Sequence, residues 1–137
     1  MSPKPPVVVD LAWDGDLRFT IAFANGLTSV LDSASAAGPS PVEALAAAIG
    51  GCMAMDVAHI LSRGRNSFSD LSAHLEAERS PDDPHRVVRV SLRFALTGAV
   101  PSEAVERAIA LSRDKYCSVW QSLRQDIDLQ VTFAIAA

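Results

Sequence analysis

Cys52 and Cys117 are the only thiols in a chain of 137 residues, and about half its length separates them. A pair of thiols can form a structural disulfide, ligate a metal or cycle between redox states. The chain has no CxxC and no Cys/His cluster, so its spacings predict no zinc or other metal site. A reducing cytoplasm argues against a structural disulfide. Two readings stay open: inert buried thiols, or a pair that carries out redox chemistry.

Cys52 lies in "AAAIGGCMAMDVAHIL", the most apolar stretch of the chain. On a helix, Asp56 lies about 40° and His59 about 20° around the axis from Cys52. The three share a face, but His59 sits about 10 Å along the axis. A general base must come within roughly 3.2 Å of the thiol, or act through one water. A Cys-His nucleophile on one straight helix is therefore excluded, and an acyl hydrolase lacks its base. Asp56 is one turn away, where its charge disfavours a thiolate. A reactive Cys52 needs a cation to offset it, and Arg63, Arg65, Arg113 and Lys115 are the nearest in sequence. Cys117 follows two of these in "RDKYCSVW". If a helix starts near Asp114, its first turn lowers the thiol pKa. Met53 and Met55 flank Cys52 as core filler or as the lining of an apolar pocket.

The elements that must position these residues read clearly. "PPVVVDLAWDGDLRFTIAFANGLTSVLD" carries Asp14-Gly15 and Asn25-Gly26 turns, predicting antiparallel strands near 6–13, 16–23 and 27–31. Ser40, Pro41 and Glu43 form a capping box that opens a helix to about Ser62. That helix is roughly 33 Å long and apolar on more than one face, which marks it as central. Gly50 and Gly51 inside it each cost about 1 kcal/mol relative to alanine; their reason is taken to be close approach of another element to Cys52. Two alternating runs around "PDDPHR" predict a hairpin with Val88, Val90, Leu92, Phe94 and Leu96 facing in. "VPSEAVERAIALSRDKYCSVWQSLRQ" predicts one or two helices with a break near Arg113 to Tyr116. "IDLQVTFAIAA" predicts a final strand. The class is α+β, one domain over residues 1–137.

The bulk numbers exclude partners. The net charge is −4 and no basic stripe exists, so no nucleic acid is expected. No run of ~20 uninterrupted apolar residues suits a membrane span. The start shows no secretory signal, so a cytoplasmic location is expected.

"SPVEALAAAIGGCMAMDVAHIL" together with "KYCSV" resembles the OsmC/Ohr family (osmotically inducible protein C and organic hydroperoxide resistance proteins), across nearly the whole chain. It is most similar to the small subfamily with "GGC" followed four residues later by Asp. The resemblance implies an OsmC-like fold, an intertwined homodimer with sites at the subunit interface, and thiol-dependent reduction of organic hydroperoxides. It implies Cys52 as the peroxidatic and Cys117 as the resolving cysteine, an external dithiol as reductant, and no cofactor. Family members also use a glutamate directly after the helix proline, and an arginine. Here Val42 follows Pro41, and the acid is Glu43, about 180° from Cys52 on a straight helix. Arg18 is the only arginine before the helix, in "GDLRFT". Asp56, Arg18, Glu43 and Lys115 are therefore carried as possible supporting residues, with Met53 and Met55 as pocket candidates. The alternative function is a non-enzymatic redox sensor or small apolar ligand binder on the same fold.

Overall fold

The computed structural model describes residues 3–137. They form two compact units, one up to Leu45 and one from Ala46 onward.

The first unit holds a three-stranded antiparallel sheet of β1 (Val9–Trp13), β2 (Arg18–Phe23) and β3 (Thr28–Asp32), in that order. Gly15 and Gly26, with φ of +85° and +89°, make the hairpin corners that the two turn dipeptides predict. Large apolar side chains of this sheet stay exposed: Leu11, Phe19, Phe23 and, at 69%, Trp13.

The central helix α1 spans Pro41–Arg63. Its entry is the expected capping box. Ser40 N–H donates to Glu43 Oε1 at 2.9 Å, and Glu43 N–H donates to Ser40 Oγ at 3.2 Å. The Ser35 hydroxyl also donates to Glu43 Oε1. These bonds, Ser35 first, hold the Glu43 carboxyl below its ordinary value of 4.5. The sign follows: a lowered value stabilises the fold above about pH 4.5, and the benefit disappears as pH falls through that lowered value. Glu43→Gln keeps an acceptor for both donors and should barely change the melting temperature at pH 7. Glu43→Ala should lower it by several degrees, measured by circular dichroism.

By length and composition α1 could cross a membrane, with a mean hydropathy of 1.7 over its apolar window. In this fold Ile49, Met53, Val57 and Leu61 make a buried stripe at a spacing of one turn. The stripe belongs to the second unit, whose sheet runs β4 (Asp70–Arg79), β5 (Val87–Thr97), β6 (Asp128–Ala136). Val90, Leu92, Phe94 and Leu96 are buried as their alternation requires. β6 lies parallel to β5, and a parallel neighbour needs a crossover. The crossover is α2 (Ser102–Leu111), a π-helical turn (Ser112–Tyr116) and the short α3 (Ser118–Gln121). The predicted break near Arg113 to Tyr116 is this π turn.

The two glycines of α1 have different surroundings. A Cβ on Gly50 would lie 3.3 Å from Leu75 Cδ1 of β4, so the helix approaches the sheet closely there. A Cβ on Gly51 would meet nothing within 4 Å. The expectation that both admit the second helix needs correction. Neighbours on a helix point about 100° apart, so one faces the sheet and the other does not. Gly51 instead lines an open hollow of about 370 Å³ with Ala46, Ala47 and Ala54.

Candidate redox site

Met53 and Val57 anchor one face of α1 in the core. The neighbouring face carries Cys52 and Asp56, both half-buried. Opposite them the crossover delivers Cys117. The π turn closes with Cys117 N–H donating to the Ser112 carbonyl at 2.8 Å, five residues back. Cys117 then leaves the helix at φ −72°, ψ 100° and caps α3. Its sulfur accepts from Trp120 N–H at 3.3 Å.

The result joins three residues distant in sequence. Cys52 Sγ, Cys117 Sγ and a carboxylate oxygen of Asp56 all lie within 4.8 Å of one another. Ser112, fully buried, donates its hydroxyl to Asp56 Oδ2 at 2.8 Å. Both cysteines are free thiols. Beyond Asp56 opens a cavity of about 600 Å³, lined by His59, Ile60, Arg63, Arg107, Leu111 and Tyr116 among others.

The electrostatics differ from the sequence expectation at Cys117. The residue precedes its helix rather than lying in the first turn, and its thiol is not activated. Burial pushes it up from 9.0 to about 11, and the nearby Cys52 sulfur and Asp56 charge add to this. The Trp120 N–H pulls the other way and loses. Cys117 is 0% exposed, whereas Cys52 is partly open. Iodoacetamide at pH 8 should therefore label Cys52 first, with Cys117 slower on the order of a hundredfold. Peptide mapping after timed quenching reads this directly. Equal labelling of both thiols in the folded protein would contradict the burial.

Four of the sequence candidates lie elsewhere. Arg18 is held in its own hairpin, donating to the Asp14 carbonyl at 3.0 Å. Glu43 is occupied by the cap. Lys115 stands 5.1 Å over the Tyr116 ring. Met55 points outward at 73% exposure, while Met53 is core. Asp56 forms no ion pair among the described residues, so none of the four proposed cations offsets it. Arg63 reaches the same cavity but does not pair with it. Sequence reading missed Ser112, Trp120 and Arg107. Trp120 works through its backbone, which no sequence pattern reports. Ser112 had a faint signal, as a polar residue on the apolar face of an amphipathic helix.

The model of the OsmC-like protein family matches residues 33–132. The chain belongs to the OsmC-like family. It is 35% identical to Protein YhfA of Escherichia coli K12 over 127 residues, covering 91% of this chain and 95% of that protein. A crystal structure of a hypothetical protein from Aquifex aeolicus VF5 superposes with a TM-score of 0.87 at 26% identity, over 96% of this chain and 97% of that one. An organic hydroperoxide resistance protein from Elizabethkingia anophelis shares the fold, at a TM-score of 0.69 and 12% identity, over 98% and 99% of the two chains. The OsmC-like match runs through α1, both cysteines and most of the second sheet. Family and geometry agree on a cysteine pair near redox distance.

Proposed function

We propose that this OsmC-like protein is a thiol-dependent peroxidase acting on organic hydroperoxides. One observation carries the reading: two sulfurs from distant parts of the chain stand within 4.8 Å, with a carboxylate beside them. Cys52, the more open thiol, gives up its proton and attacks one peroxide oxygen. The O–O bond breaks, the alcohol leaves with a proton, and Cys52 becomes a sulfenic acid. Cys117 then attacks the Cys52 sulfur. A disulfide forms and the sulfenic oxygen leaves as water, taking the Cys117 proton. Asp56 is placed to pass that proton, since its carboxylate touches the same space. An external dithiol returns two electrons and two protons, becoming a disulfide itself. Bridging needs only a small closure, because the two side chains already face each other. The test is mass spectrometry of the reduced protein after one equivalent of cumene hydroperoxide. Loss of two hydrogens, mapped to a Cys52–Cys117 bond, is expected. An unchanged mass rejects the enzyme reading and leaves a redox-silent binder. The unpaired Asp56 favours that second reading, since its charge opposes a thiolate.

We further propose that the protein works as an obligate homodimer in the cytoplasm. Only 28% of the apolar window of α1 is buried within one chain, and the first sheet leaves Trp13 and its neighbours bare. Apolar area of this extent usually marks an interface. Light scattering at micromolar concentration should give twice the 14.5 kDa chain mass. A stable folded monomer would refute it.

A further inference from the structure

We propose that the reduced cluster of Cys52, Asp56 and Cys117 is a binding site for a thiophilic divalent cation, with zinc(II) the best fit.

Two sulfurs and one carboxylate oxygen form a donor set suited to a borderline-soft ion. In a tetrahedral zinc site, Zn–S of about 2.3 Å and Zn–O of about 2.0–2.2 Å put the ligand atoms roughly 3.5–3.8 Å apart. The three atoms here lie within 4.8 Å, so side-chain rotation of an ångström or less closes the site. The Ser112 hydroxyl already fixes Asp56, as a hydrogen bond behind a metal ligand does. Access exists, because Cys52 and Asp56 are only half-buried and Asp56 borders the 600 Å³ cavity. The fourth position faces that side and is left to water.

The charge balance is the stronger argument. A carboxylate between two thiols opposes the ionisation of both, and no side chain of the described residues pairs with it. A bound divalent cation reverses the sign: it holds the carboxylate and displaces both thiol protons to solvent. No electrons move. The metal thiolates cannot form a disulfide while the ion is held, so cation and peroxide compete for one pair of sulfurs. The sequence rule that finds zinc sites by close Cys spacing does not see this set, which the fold assembles from α1 and the crossover.

The probe is cobalt(II), added anaerobically to the phosphine-reduced protein and followed by absorbance. One ion per chain is expected, with thiolate-to-cobalt charge-transfer bands and the intense visible bands of a tetrahedral ion. Zinc(II) should bleach these bands. Cys52→Ser and Cys117→Ser should each lose about half of the charge-transfer intensity and bind at least tenfold more weakly. Asp56→Asn should keep the bands and lose at least tenfold in affinity. Circular dichroism of each variant checks that it is folded, and cobalt added to peroxide-oxidised wild type supplies a thiol-free state of the same fold. A weak octahedral spectrum without charge transfer, or Asp56→Asn binding as tightly as wild type, overturns the three-ligand site. None of these readouts depends on peroxidase turnover.

Discussion

Replacing Cys52 with serine should reduce hydroperoxide consumption on the order of a thousandfold or more, because a serine hydroxyl is not a nucleophile at neutral pH without a base in reach. The distance argument along α1 excludes His59 as that base, and Asp56 is a weak one. Cys117→Ser should behave differently. The first equivalent of peroxide should still be consumed, and mass spectrometry should find one added oxygen on Cys52 as sulfenic acid, then a second as sulfinic acid. Steady turnover with a dithiol should fall, since the exposed sulfenic acid over-oxidises when nothing resolves it. The high proton affinity of Cys117 adds a pH signature. Its thiolate fraction grows about tenfold per unit while the pH stays well below 11, so disulfide formation in wild type should speed up across that range if resolution limits it. If Cys52→Ser and wild type consume cumene hydroperoxide equally, the proposed chemistry is wrong.

The second large effect is on stability. Gly98 follows β5 at φ +145°, a conformation that L side chains rarely adopt. A Cβ there would stand 2.6 Å from the Ser67 carbonyl oxygen and 2.7 Å from Phe68 Cα. Both are backbone atoms, so no rotamer change relieves the clash. Its N–H also donates to the Ala136 carbonyl at 2.9 Å, tying the ends of β5 and β6. Gly98→Ala should therefore cost roughly 2–5 kcal/mol, from strain and overpacking together. In urea the midpoint should fall with little change of slope. A loss under about 0.5 kcal/mol would mean that the segment after α1 yields easily.

Much of this architecture is legible in the sequence because local rules govern it. The capping box fixes where α1 starts, and period-two alternation fixes the buried face of β5. The turn dipeptides fix the first hairpins. The parallel seating of β6 on β5 is not legible, since it depends on how the crossover packs and not on any local pattern. The site divides in the same way. Cys52 and Asp56 can be paired from helical geometry alone, as they are one turn apart. Their meeting with Cys117 was implied by family resemblance and not by spacing. The state of Cys117 was misjudged because nearby Arg113 and Lys115 suggest an activated thiol. In the fold, Arg113 offers only its carbonyl, which accepts from Gln121, and Lys115 lies over Tyr116. Burial then decides the outcome.

The π turn at Ser112–Tyr116 has a genetic corollary. Such a turn holds one residue more than the α-helix it interrupts. Removing one codon between Ser112 and Tyr116 would restore regular winding and rotate everything downstream by about 100° relative to α2. Cys117 would then swing away from Cys52 although neither cysteine had changed. An in-frame deletion of that kind would be silent in any census of cysteines, and a lineage carrying it would keep both thiols while losing their partnership. Among relatives of this chain, the number of residues between the α2 core and the second cysteine is thus as informative as the cysteine itself.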